Sequence, residues 1–313
     1  MKLLNQYLRN SRLRYKSPVF LLAVIASSVS AAPPAPATAP SSGKACAADA
    51  GWNDPAEPRQ IHGNTWYVGT CGLSALLITS PEGHVLIDGA TRKAAPMIEE
   101  SIVALGFKLE DVRYILNSHE HLDHAGGIAQ LQRDSGATVA ARSQAAVILE
   151  QGKSDRSDPQ FLTTGAFPPV TSVHRIADRE TVMLGPIKLQ AHATPGHTRG
   201  STSWTWQSCQ SGRCLDIAYA DSLTAISDEV YRYSDEAAHP GVLAAFRKTL
   251  VTVAGLPCDI LLTPHPGASN LWSRMGPEAT APLVDPTACR RYAATASTNL
   301  DARIAKESAG STP

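Results

Sequence analysis

The chain predicts an α+β fold in which two β-sheets carry helices on their outer faces. Short β-rich runs alternate with helical ones between Trp66 and Leu262, and turn residues fold the first runs into antiparallel hairpins. With 313 residues and 43% hydrophobic composition, there is enough apolar material for one large domain or two small ones.

In chain order, strands are expected at Thr65–Val68, Leu73–Thr79 and His84–Ile87, the last two joined by the Pro81-Glu82-Gly83 turn. Further strands are expected at Val112–Leu116, Thr138–Ala141, Ile187–Ala191, Thr202–Trp206 and Leu215–Tyr219. Helices are expected at Lys93–Leu105, Gly126–Asp134, Ser143–Gln151 and Pro240–Gly255, with Gly106 and Gly136 as stops. Trp204 and Trp206 share one strand face and read as core.

Both ends differ from the body. Residues 1–31 read as an export signal. The stretch from Lys2 to Lys16 is basic and lacks acids, Val19–Ala26 is apolar, and Val29-Ser30-Ala31 fits a cleavage site before Ala32. The apolar run falls far short of the roughly 20 residues that span a bilayer. Residues 32–45, rich in Pro, Ala and Ser, read as a flexible leader. The body is then 46–292, and 293–313 reads as a helix end or tail.

Charge excludes one large class of function. Lys plus Arg and Asp plus Glu both number 28, so the Lys/Arg excess that phosphate contacts require is missing and a nucleic-acid partner is not expected. Six cysteines in an exported chain point to disulfides. Cys209 and Cys214 flank a turn between two strands, while Cys46–Cys71 and Cys258–Cys289 would tie the terminal segments to the body. No C-x-x-C pair suggests a cysteine-ligated zinc.

The chemistry concentrates in Ser118-His119-Glu120-His121-Leu122-Asp123-His124, between a strand and a helix. Three imidazoles and a carboxylate this close need a shared partner if buried, and a metal ion is one. Pro195-Gly196-His197 and Pro264-His265-Pro266 add two histidines on stiff turns. Five histidines and Asp123 divide into two three-ligand sets, each leaving a position open, as catalytic zinc sites do. Glu120, between two of these residues, is expected to point to solvent by strand-like alternation. His62, His84, His174, His192 and His239 match no ligand position; they are expected at the surface or as supports behind the ligands.

The His119-x-His121-x-Asp123-His124 pattern, His197 after Pro-Gly and the late His265 resemble the metallo-β-lactamase superfamily from about Trp66 to His265. Asp88 in Leu86-Ile87-Asp88-Gly89 matches that superfamily's buried acid. The resemblance implies an αββα sandwich with a di-zinc site at the edge between the sheets. Tyr219-Ala220-Asp221-Ser222-Leu223 and Thr263-Pro264-His265-Pro266 are similar to subclass B3, in which serine stands where other subclasses carry a cysteine ligand.

That resemblance implies one zinc on His119, His121 and His197 and a second on Asp123, His124 and His265. It implies a catalytic role for Asp123, His119, His121 and His197, with Ser222 and Thr224 meeting the substrate carboxylate and Gln160 and Phe161 walling the cleft. The implied function is that of an enzyme opening the β-lactam ring of penicillins, cephalosporins and carbapenems with a zinc-bound hydroxide and without an acyl-enzyme. Such an enzyme confers antibiotic resistance. Export would place it in the periplasm, and with no coiled-coil or dimer stripe in the sequence a monomer is expected. Two other readings stand beside it: a secreted di-zinc lactonase or thioesterase of the same fold, with Asp221 bridging the metals, and a non-catalytic zinc-binding protein. No S-x-x-K and no complete G-x-S-x-G is present, and Ser74 reads as an ordinary strand residue.

Overall fold

A computed structural model describes residues 46–310 apart from 48, 277 and 278. The export signal (1–31) and leader (32–45) expected from the sequence lie outside the described residues.

Seven strands form the first sheet in chain order: β1 (Arg59–His62), β2 (Thr65–Tyr67), β3 (Leu76–Ser80), β4 (Gly83–Ile87), β5 (Val112–Leu116), β6 (Thr138–Arg142) and β7 (Val173–Ile176). The first four pair antiparallel as hairpins, and β4 to β7 pair parallel through helical crossovers. Those crossovers contain α1 (Ala95–Ala104), α2 (Leu122–Ala125), α3 (Ile128–Ser135) and α4 (Ser143–Gln151). The second sheet contains β8 (Thr181–Leu184), β9 (Ile187–Ala193), β10 (Thr202–Gln210), β11 (Arg213–Tyr219) and β12 (Ile260–Leu262), ordered β12-β11-β10-β9-β8. After β11 come α5 (Val242–Ala254), α6 (Leu271–Arg274) and α7 (Ala288–Ser308).

Period-two alternation sorts the core into three apolar layers. Leu76, Ile78, Val85 and Ile87 face the second sheet, where Leu189, Ala191, Trp204, Trp206, Ile217 and Tyr219 meet them. Their neighbours Leu77 and Leu86 face the other way, onto Ile98, Ile102, Ile128 and Leu149 of the first helical layer. On the far side of the second sheet, Ala218 and Leu261 pack under Phe246, Leu250 and Val253 of α5 and Ala293, Ala296 and Leu300 of α7. The architecture is the αββα sandwich, and both tryptophans lie in the inter-sheet core.

The structure refines several expectations. Of the two alternatives for the segment from 293, the described residues form a helix end: it completes the 21-residue α7, whose buried residues include Cys289, Ala293, Ala296, Leu300 and Glu307. Alanines give that stripe too little hydrophobic contrast to stand out in the sequence. The helix expected over Gly126–Asp134 is α3, and the short α2 precedes it, separated from it at Gly126-Gly127. There the backbone passes so close that a Cβ on Gly127 would meet the Gly89 carbonyl. His84 and His192 are buried, His192 Nε2 lying 2.7 Å from Thr205 Oγ1. The short strands β1, β7, β8 and β12 add to those expected.

The structure closes Cys46–Cys71, Cys209–Cys214 and Cys258–Cys289, the pairings expected from chain position. The last ties the α5–β12 connection to the first turn of α7. At its other end α7 is held by buried Glu307. Its carboxylate accepts from Tyr233 N (3.1 Å), Ser234 N (2.8 Å) and Arg303 Nε (2.6 Å).

Burial alone would raise the Glu307 pKa, but these donors outweigh it and hold the carboxyl below its usual range. Stability from the charged form is therefore complete above the unfolded glutamate pKa of about 4.3 and is lost as pH falls through the lower folded value. Glu307→Gln should cost roughly 2 kcal/mol at neutral pH. Denaturant unfolding of both proteins as a function of pH should show that gap constant above about pH 5 and shrinking in acid.

Candidate metal centre

Five strand ends converge on the site. Parallel β4 and β5 end together, and β9, β11 and β12 point their carboxyl ends to the same edge of the sandwich. Ligands in α/β sheets gather at such ends, where loops leave the strands. The β5 end supplies His119 and His121, α2 supplies Asp123 and His124, the loop after β9 supplies His197, and that after β12 supplies His265.

Local anchors hold these loops. Asp88 takes left-handed backbone (φ +64°) immediately after β4, a conformation that costs of order 1–3 kcal/mol and persists only when its surroundings enforce it. Its carboxylate accepts from Ser118 N (2.7 Å), Ser118 Oγ (2.6 Å), Asn117 Nδ2 (3.2 Å) and Tyr219 Oη (2.7 Å). Asp88 thereby joins the β4, β5 and β11 ends directly beneath the histidines. The His265 loop is fixed by Ser74, whose N–H donates to Pro264 O (2.8 Å) and whose hydroxyl donates to Thr263 O (2.8 Å).

One ligand-type atom from each of His119, His121 and His197 lies within 4.8 Å of the others, and all three side chains are buried. Their rings stand edge-on with centroids 4.7–4.9 Å apart. Asp123 Oδ2 lies 3.2 Å from His124 Nε2 and 3.3 Å from His265 Nε2, and those two nitrogens are 3.3 Å apart. The structure thus brings the six residues together, and His119, Asp123 and His124 also offer ligand atoms within 4.8 Å of one another, the His119 and His124 centroids being 4.4 Å apart.

The far sides of the first three rings are occupied. His119 Nδ1 meets Asp221 Oδ1 at 2.8 Å, His197 Nδ1 meets Thr224 Oγ1 at 2.9 Å, and His121 Nε2 meets Asp158 Oδ2 at 3.1 Å. His119 Nε2 is buried without a partner among the described residues. Burial and the neighbouring His124 and His121 hold the His119 pKa well below its ordinary value. Burial with His119 and His121 does the same for His197. Burial alone would lower the His121 pKa, but the Asp158 carboxylate outweighs it and raises it. Desolvated imidazoles crowded around a shared space, with His119 Nε2 left unpartnered, fit a metal ion, and such a donor set is typical for zinc.

The family follows from this frame. A model of the metallo-beta-lactamase superfamily matches residues 68–265. The chain belongs to that superfamily. Among solved structures, it resembles MEM-A1, a subclass B3 metallo-beta-lactamase isolated from a soil metagenome library. That match has 48% identity and a TM-score of 0.80, covering 83% of this chain and all of the other. It resembles the metallo-beta-lactamase MIM-1 from Novosphingobium pentaromativorans at the same identity and TM-score, with 83% and 93% covered. These likenesses place it with subclass B3. A hydroxyacylglutathione hydrolase of Anaeromyxobacter dehalogenans is 33% identical over 95 residues, 30% of this chain and 29% of that one. The chain spans less than half the length of the curated relatives it matches.

Ser222 is buried after β11, and Thr224 is exposed with its hydroxyl on His197. Gln160 Nε2 lies 3.5 Å from His197 Nε2. Phe161 is half-buried with the Arg156 guanidinium 4.7 Å over its ring. Asp221 stands behind His119, on the nitrogen facing away from the shared space.

Glu120 contradicts expectation. It is 4% exposed, and its carboxylate accepts from Thr198 Oγ1 (2.9 Å) and Gly200 N (3.1 Å), clamping the His197 loop to the His119–His121 loop. Alternation does turn it away from the ligands, but toward another loop instead of water. Asp158 is a further partner that sequence reasoning misses. It lies 37 residues beyond His121, and no spacing rule links a loop acid to a distant imidazole.

A Cβ on Gly200 would come within 2.6 Å of Ala145 Cβ and closer still to Glu120 Oε2. Gly200→Ala should therefore lose roughly 1–3 kcal/mol of stability through overpacking. It should also displace the His197 loop. Unfolding curves together with metal content after dialysis would register both effects, whereas a fully stable, fully loaded variant would contradict the clamp.

Proposed function

We propose that the protein hydrolyses the β-lactam ring with two zinc ions, one held by His119, His121 and His197 and the other by Asp123, His124 and His265. The observation that carries this reading is the pair of abutting three-residue sets, with the unpartnered His119 Nε2 between them, in a chain 48% identical to subclass B3 enzymes over their length.

When bound, the ions supply Lewis acidity that polarises the lactam carbonyl and brings the pKa of a water toward about 7. Asp123, with His124 and His265, would hold the second ion, and its carboxylate would orient the water bound there. Its ionised form is favoured because His124 and His265 outweigh the opposing effect of burial and hold its pKa far below the usual range. His197 Nδ1 donates to the Thr224 carbonyl (3.1 Å) and lies 2.9 Å from its hydroxyl, which would keep its own hydrogen for a substrate carboxylate. Ser222 assists it, and Gln160 and Phe161 shape the wall opposite. No side-chain nucleophile takes part, and Ser74 is buried with its hydroxyl committed to Thr263 O.

A lactone or thioester hydrolase is the competing reading, since an N-acyl homoserine lactonase from Rhizobium johnstonii is 33% identical over 76 residues. In that reading Asp221 would bridge the metals. Its place behind His119 favours the β-lactamase.

Three disulfides support work in an oxidising compartment, and the sequence of residues 1–31 supports periplasmic export, with resistance as the consequence. No described helix is long and apolar enough to cross a membrane. Intact mass of the exported protein should place its first residue at Ala32, whereas retention of residues 1–31 would remove the export argument.

Purified protein should hydrolyse a chromogenic cephalosporin and a carbapenem. Chelation should abolish turnover and zinc should restore it. His197→Ala should lose more than about 10²-fold, beyond the range seen when only a ligand's supporting partner is removed. A protein loaded with two zincs that opens lactones or thioesters but no β-lactam would reverse the assignment.

A further inference from the structure

We infer that Asp158 is a positioning residue that selects the tautomer of His121 and so couples the cleft-wall loop to the three-histidine set. The inference rests on a metal binding that set and does not depend on which substrate is hydrolysed.

The three rings of the set are not held alike. His119 and His197 are each gripped at Nδ1, leaving Nε2 for the shared space. His121 is gripped at the opposite nitrogen. Its Nε2 lies 3.1 and 3.2 Å from the two oxygens of Asp158, leaving Nδ1 as the remaining lone-pair position. A neutral imidazole carries one proton, and the partner of one nitrogen decides which lone pair is free. Without the Asp158 carboxylate, nothing described on the ring's far side would favour a proton on Nε2. The population with a proton on Nδ1 would then be unable to bind metal there.

The surroundings of the carboxylate suit this role. Asp158 is 6% exposed, as its partner His121 is 5% exposed, so water competes little for either group. Its Oδ1 also accepts from Gln160 N at 2.8 Å, which fixes the carboxylate plane and the backbone of the cleft-wall residue together.

The same loop is pinned from its other side by buried Asp228. Asp228 N–H donates to Pro159 O (2.7 Å), and its Oδ2 accepts from Leu162 N (3.0 Å). Residues 158–162 are therefore stretched between a metal-facing histidine and the loop after β11. Gln160 rides between the two anchors, 3.5 Å from His197. Displacement of this wall would pull on His121, and a disturbed His121 would move the wall.

The test uses folded, zinc-loaded protein. Zinc dissociation constants of wild type, Asp158→Ala and Asp158→Asn would be measured by competition with a chromophoric chelator. Long-range ¹H–¹⁵N spectra would report the imidazole tautomers. Asp158→Ala should weaken one of the two zincs by 10- to 100-fold, the range for loss of a partner behind a ligand. Its His121 signals should leave the Nε2–H pattern. Asp158→Asn keeps a neutral acceptor for Nε2–H and should recover most of the affinity, so it decides the matter if the alanine variant does not fold.

Affinities within twofold of wild type at both zincs, with an unchanged His121 tautomer, would overturn the inference. A wild type that binds two zincs yet opens no β-lactam would defeat the proposed function alone. The affinity comparison would then still decide the role of Asp158.

Discussion

A buried imidazole lone pair with nothing to answer it governs this molecule. His119 Nε2 is such an atom, and the other ligand-type nitrogens and the Asp123 oxygen crowd around the same space. Without a cation, this gathering costs desolvation and mutual crowding, so the rest of the fold must hold it together. Strand ends from both sheets are brought to one edge, Asp88 joins three of them with four hydrogen bonds, and Glu120 locks two ligand loops together. Each of these carboxylates is buried and satisfied by donors. They form a polar base under the site, while the apolar layers on either side keep the sheets rigid.

The orientation of each ring follows from what stands behind it. An acid, a hydroxyl and a second acid grip His119, His197 and His121 at defined nitrogens, each from a different segment of chain. Lone-pair direction is thus distributed over the fold and is not a local property of the ligand loop. This explains why the loop carrying Gln160, which reads as an ordinary surface connection, is buried at Asp158 and pinned at Asp228.

What could be read from the residues alone follows the same division. The run from His119 to His124 was legible because four ligand types in so short a stretch have few other uses, and the Pro-flanked His197 and His265 completed it. Alternating apolar residues revealed the central strands. By contrast, β7 reads Val-His-Arg-Ile and β12 is three residues long, so neither carries a periodic signal. The stripe of α7 is largely alanine. Asp158, Asp221 and Glu120 could be seen as acids, but not as partners of a particular ring or loop. Pairing across 37 or 102 residues is decided by tertiary packing, not by spacing.

The dispersal of the ligands along the chain sets a timetable for assembly. His124 and His265 are 141 residues apart, and they meet only after the second sheet has formed and docked. A chain growing from its N-terminus presents His119, His121, Asp123 and His124 early, when they can offer only loose, incomplete coordination. The first set closes when His197 arrives and the second when β12 delivers His265, among the last strands made. Contacts of such long range form late in folding, and the binding energy of a metal belongs to the state that has formed them. A metal held by both sets would therefore be captured only after both halves of the sandwich have come together.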